Sequence, residues 1–176
     1  MKKSSMIRLV VTAMLLALGF VLPFLTGQIP EVGSRLLPLH LPALICGFVC
    51  GWPWGMALGF VLPIMRSLLF GMPPILPTGL AMAFEMAAYG AAAGVLYART
   101  KHVIVSLVGA MVVGRVAWGA ASWLIYALFM QAPFSIAMFW AGGFVNAWPG
   151  MILQLVLVPA IVGALKRAKL IPIHND

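Results

Sequence analysis

Four ionisable side chains lie where a charge is costly. Arg66, Glu85 and Arg115 fall inside long apolar runs, and His40 stands near the start of another. Such residues in apolar surroundings pair with one another, face a water-filled cavity or hold a charged ligand. Uncharged polar residues keep them company: Thr78, Tyr89, Asn146 and Gln154. Two arginines against one glutamate leave one positive charge over, and a guanidinium suits a carboxylate or phosphate. The plainer reading is an Arg–Glu pair that neutralises itself and locks two helices together.

Aromatic residues supply candidate walls. Trp118, Trp123, Tyr126, Trp140 and Trp148 lie in the last two apolar runs. Tryptophans near run ends commonly anchor a helix at the membrane surface, which suits Trp52 and Trp54. Trp118 and Trp148 lie deeper and are candidates for lining a ligand pocket. Cys46 and Cys50, one helical turn apart, lack the nearby ligands a metal site needs and read as apolar side chains. No HExxH, GxSxG or P-loop pattern is present, so the sequence offers no catalytic residues and calls for no metal or cofactor.

The elements that position these groups are membrane spans. Of 176 residues, 64% are hydrophobic and 8% charged, with mean hydropathy +1.10. A soluble domain carries about a quarter charged residues, so the solvent here is largely lipid. A spanning helix takes roughly 20 apolar residues. The runs predict a six-helix all-α bundle forming one membrane domain over 1–176, with spans at about 6–25, 37–51, 55–70, 76–97, 103–130 and 136–165. The N-terminal run resembles a signal peptide but is long for one, and reads as a retained first helix. Trp52-Pro53-Trp54 is expected to form a tight turn, and Gly71-Met72-Pro73-Pro74 to break the third span.

Depth follows from this scheme. Glu85 lies nine residues into span four, roughly 14 Å by helix rise. Arg66 lies about a turn inside the outer end of span three, Arg115 near the middle of span five, and Asn146 about ten residues into span six. The group is expected to converge in the outer half of the bundle.

Net charge is +8. In a soluble chain that would suggest nucleic acid, but here the basic residues flank spans. Lys2, Lys3, Arg8, Arg99, Lys101, Lys166, Arg167 and Lys169 fall on one side, and Arg35 alone in the loops of the other. Positive loops stay inside, so the expectation is a multi-pass protein of a bacterial cell membrane, in contact with lipid, with both termini cytoplasmic.

Small residues recur every fourth position: Ala13 and Ala17; Gly47, Gly51, Gly55 and Gly59; Ala83, Ala87 and Ala91, with Gly90 and Gly94 beside them. Such ladders let helices approach closely in lipid, mostly inside the bundle, with some facing a partner. ALGFVLP occurs twice, at 17–23 and 57–63, either as an internal repeat or as an accident of biased composition.

The order of several segments carries a resemblance. Ala13-x-x-x-Ala17 is followed by LHLPALICGFVCG, RSLLFGMPP, AMAFEMAAYG, GRVAWG and NAWPGMILQLVLVPAIV. Nearly the whole chain resembles the substrate-binding S components of energy-coupling factor (ECF) vitamin transporters, most nearly pantothenate-type and related members. The resemblance implies capture of a vitamin from outside, docking on the membrane partner EcfT with its two ATPase subunits, and toppling to release the ligand inward. It also implies that Ala13 and Ala17 form the face that docks on EcfT. Expected ligand-binding residues are His40, Arg66, Glu85, Arg115, Trp118, Asn146 and Trp148. Pantothenate, a carboxylate, agrees with the surplus arginine, whereas a pyrimidine or cobalamin lower-ligand precursor would make better use of the tryptophans. A lipid- or isoprenoid-modifying enzyme would need more carboxylates or a metal cluster, and an assembly protein without ligand would not need charges in the membrane.

Overall fold

Prolines and glycines punctuate an otherwise continuous apolar chain. In the computed structural model, which describes residues 3–26 and 29–168, helix α1 (Lys3–Val21) tightens into a 3-10 turn at Leu22–Thr26. Pro23 there has no amide to offer a helical ladder. Helix α2 (Pro30–Leu36) opens on its proline and ends at Leu37, whose φ is 51°. Helix α3 (His40–Cys50) stops at Gly51, and α4 (Trp52–Phe70) stops at Gly71. Both glycines hold positive φ, 95° and 68°, a region open to glycine because it has no Cβ.

After a wound segment at Ile75–Gly79 come α5 (Leu80–Thr100) and α6 (Val103–Ile125), the latter extended by a π-helical turn at Tyr126–Met130. Helix α7 (Ile136–Trp140) continues as a π-helical turn through Val145, and α8 (Trp148–Arg167) closes the bundle.

Among the described residues, five helical stretches are long and apolar enough to cross a membrane: Ser4–Leu25, Trp52–Phe70, Ile75–Thr100, Val103–Met130 and Trp148–Arg167. The second expected span shrinks to α3, whose eleven residues rise about 17 Å, little more than half a bilayer core of about 30 Å. All eleven are buried. Leu41, Leu44 and Phe48 face a core shared with Tyr89, Met111, Val158 and Val162. Ile45, Cys46 and Val49 face one shared with Leu58, Leu62 and Met86. Cys46 and Cys50 are buried free thiols in this second contact region. Helix α3 is thus a central post packed against α1, α4, α5 and α8.

Three other expectations change. Residues 136–165 are two helices, not one, because Pro149 at the head of α8 has no amide for the carbonyl four residues back and crowds it. The turn expected at Trp52-Pro53-Trp54 lies one residue earlier, at Gly51, and those three residues form the first turn of α4, where a proline fits. Leu76 is extended (φ −121°, ψ 137°), as a residue before proline prefers, so regular helix begins at Leu80.

Close helix approach is concentrated at one junction. A Cβ on Gly55 would lie 2.6 Å from the Gly47 Cα and 2.8 Å from the Gly90 carbonyl oxygen. Helices α3, α4 and α5 therefore meet backbone to backbone, and Gly59 abuts the Met86 carbonyl in the same seam. Ala13 and Ala17, by contrast, are exposed on α1. The two ALGFVLP copies diverge at their prolines, Pro23 lying in the 3-10 turn and Pro63 inside α4.

Cross-contacts define the two ends of the bundle. Cys50 Sγ donates to the Arg8 carbonyl oxygen at 3.8 Å, and the Lys166 ammonium sits 4.8 Å from the Tyr97 ring centre. The start of α1 and the ends of α3, α5 and α8 thus share one end, which carries Arg8, Arg99, Lys101, Lys166 and Arg167. Lys2 and Lys169, counted on the same side, lie outside the described residues.

Candidate ligand-binding site

At the opposite end, the shortness of α3 leaves room above its first residue. His40 begins α3 with its ring buried and set edge-on to Tyr89, centroids 5.2 Å apart. Its Nε2 lies 3.4 Å from Glu85 Oε2 on α5. The other oxygen of Glu85 accepts from Arg115 Nη1 on α6 at 2.7 Å. One carboxylate, 2% exposed, therefore ties three helices together. Gly114, beside Arg115, gives the Tyr89 ring its space.

Arg66 takes a different role from Arg115. It is 2% exposed, and its Nη1 donates to the Phe20 carbonyl oxygen at 2.6 Å. That carbonyl belongs to the last turn of α1, where helical amide partners run out. The guanidinium carbon lies 5.6 Å and 5.0 Å from the Phe24 and Phe70 ring centres, within cation–π range. Arg66 thus joins α4 to the end of α1.

These groups open onto one cavity of about 580 Å³, within the range of small-molecule sites. Of the residues expected to bind ligand, His40, Arg66, Glu85, Arg115, Trp118 and Asn146 all line it. Trp118 is half-buried, stacked on Phe139 at 6.1 Å, with Gly142 close against its ring. Asn146 is exposed, so it stands at the mouth. Trp148 does not line the cavity and is 58% exposed. The buried face of α8 runs through Gly150, Gln154, Val158 and Val162, and a residue two before Gly150 is turned about 200° away from it. Gln154 is fully buried, away from the cavity lining, with neither amide atom hydrogen-bonded.

Loops complete the walls, and these were not singled out from the sequence. Met72, Pro73 and Pro74 form one side. Ser67 Oγ braces them, 2.6 Å from the Pro73 carbonyl oxygen and 2.9 Å from that of Pro63, and Gly79 N donates to the Pro74 carbonyl oxygen at 2.8 Å. Glu31, on α2, also lines the cavity. It offsets the surplus positive charge counted from Arg66, Glu85 and Arg115 alone. Its signal was weak because a glutamate in a polar loop is ordinary, and only the fold-back of α2 carries it to the mouth.

Among the described residues no group of three or more His, Cys, Asp or Glu could hold a metal ion. What the cavity offers is binding: an apolar shell, one aromatic plane, and guanidinium groups held in place before a ligand arrives.

No curated protein and no solved structure matches the chain. Residues 7–162 match the family described as ECF transporter, substrate-specific component. With that match spanning most of an all-helical, membrane-type chain built around one cavity, the protein belongs to the family of substrate-binding S components of ECF transporters.

Proposed function

We propose that this S component captures a small carboxylate vitamin or vitamin precursor, with pantothenate preferred, and delivers it by docking on EcfT coupled to two ATPases. The observation that carries the reading is the cavity itself: about 580 Å³, largely apolar, with Arg66 and Arg115 fixed in its wall. Counting α3 as the short second crossing gives six crossings. The basic end of the bundle then lies in the cytoplasm and the cavity opens outward. The exposed small residues Ala13 and Ala17 supply a flat face on α1 for EcfT.

A second reading, a ring-bearing ligand such as a pyrimidine or cobalamin lower-ligand precursor, draws on the Trp118–Phe139 stack. Calorimetry on the purified chain with a panel of vitamins and precursors separates the two. Tight binding of pantothenate supports the first reading, and tight binding of an uncharged ring supports the second. No tight ligand in the panel would sink the transport reading and favour a membrane assembly role. Arg115→Ala should weaken binding of an anion far more than Arg99→Ala, which lies at the other end, and equal losses would discard the assignment of the cavity.

A further inference from the structure

Two adjacent glycines beside the cavity differ in the room they leave. Gly142 and Gly143 lie in the π-helical turn Ala141–Val145 that continues α7. A Cβ on Gly143 would make ordinary contacts, 3.5 Å from Trp118 Cζ3 and 3.9 Å from Arg115 Cδ. A Cβ on Gly142 would lie 2.7 Å from Trp118 Cη2 and 3.2 Å from its Cζ2. Carbon atoms rest about 3.5–4.0 Å apart, so the indole would have to yield by about 1 Å to admit one methyl group at Gly142.

The direction in which it can yield follows from what stands behind it. Phe139 is stacked beside the indole, with centroids 6.1 Å apart and planes 27° apart, and Phe134 meets it edge-on at 5.9 Å. Phe139 is itself pinned, because α6 passes so close that a Cβ on Gly119 would lie 2.6 Å from its ring. Phe134 leans on Tyr126 at 5.5 Å, and Ser135 Oγ accepts from Met138 N to fix the start of α7. The chain from Phe134 to Gly142 therefore backs the ring. The open side of Trp118 is the cavity, which both it and Gly142 line. A side chain at Gly142 would push the indole into the space a ligand needs.

We infer that Gly142 is a specificity-determining residue: by carrying no side chain it lets Trp118 lie back, and so sets how large a ligand the cavity admits at that wall. It acts through Trp118 and needs no contact with the ligand. This rests on the transport reading above and deepens it by naming what limits the size of the ligand, whatever its charge.

The test uses the purified full chain and pairs of homologues that differ by one methylene: pantothenate with homopantothenate, and norbiotin with biotin. One methylene against an apolar wall is worth about tenfold or more in affinity. Gly142→Ala should therefore weaken the longer member of the bound pair about tenfold more than the shorter. Gly143→Ala, which meets only ordinary contacts, should leave the ratio as in the wild type. Adding Trp118→Phe to Gly142→Ala removes the end of the ring that the methyl group meets, and should restore the ratio. A merely structural glycine would weaken both members alike and would not be rescued by a smaller ring. Ligand-free unfolding temperature over the same cycle reads the contact without a ligand. The two substitutions should be non-additive, with Gly142→Ala better tolerated alongside Trp118→Phe than without it. An unchanged ratio in Gly142→Ala, or a changed one that persists with Trp118→Phe, overturns the inference and leaves the transport reading intact. A wild-type chain that binds neither pair counts against the transport reading, and the unfolding cycle then decides the inference alone, additivity overturning it.

Discussion

Replacing Glu85 with alanine should expose how the bundle carries its buried charge. The carboxylate accepts from Arg115 at 2.7 Å with both side chains almost fully enclosed. Charge centres about 4 Å apart attract by about 4 kcal/mol at an effective dielectric of about 20. Removing one partner also strands the other, and stranding a buried charge costs about 3–5 kcal/mol. For a chain of this size each kcal/mol moves the unfolding midpoint by about 2–4 °C, so Glu85→Ala should lower it by roughly 10 °C. The double variant Glu85→Ala, Arg115→Ala contains neither charge and should recover much of that loss. The assay is thermal unfolding of the ligand-free protein in detergent, followed by tryptophan fluorescence, over the full cycle of variants. Neutral side-chain hydrogen bonds inside membranes couple by about 0.6 kcal/mol on average, so a coupling of ~2 kcal/mol or more marks an ion pair. Additivity of the single variants within about 0.5 kcal/mol would refute the reasoning.

Other substitutions probe packing and partner contacts. Gly55→Leu should abolish folded protein, since its Cβ would lie 2.6 Å from backbone on α3, whereas Gly163→Ala, with nothing within 4 Å, should raise stability by about 1 kcal/mol; detergent-stable yield and unfolding temperature read both. Trp118→Ala should weaken ligand binding by about tenfold, or ~1.4 kcal/mol, while Trp148→Ala leaves it unchanged, and calorimetry showing similar losses would contradict the placement of Trp148 outside the cavity. Ala13→Trp with Ala17→Trp should stop uptake in cells while sparing ligand binding to the isolated chain, and normal uptake would dismiss α1 as the docking face.

The sequence disclosed most about groups whose position lipid dictates. His40, Arg66, Glu85 and Arg115 were marked because a charge in an apolar run needs a reason, and all four meet at one cavity. Depth along the apolar runs singled out Trp118 and Trp148 alike, but only Trp118 lines the cavity, because depth does not say which way a side chain faces and Pro149 starts a new helix just after Trp148. Hydropathy also extended α3 to a full span, because an apolar residue buried against protein and one facing lipid look alike. Glu31 and the proline wall at 72–74 depend on how loops fold back over the cavity, which no periodicity encodes. The distinct partners of Arg66 and Arg115 were equally hidden, since both were visible only as positive charges.

The shortness of α3 bears on how the protein is assembled. Eleven residues are too few to hold a stable position across a bilayer alone, and His40 at one end would meet lipid. During synthesis α3 emerges before α4 and α5, the helices that enclose it with α1 and α8. It must therefore wait at the membrane surface or beside the insertion machinery, and enter with the α4–α5 pair once the glycine seam at Gly47, Gly55 and Gly90 can close. A defect at that seam would then be felt first as a failure of membrane insertion, with α3 left accessible to protease or thiol reagents at Cys46 and Cys50, before any loss of substrate binding could be measured.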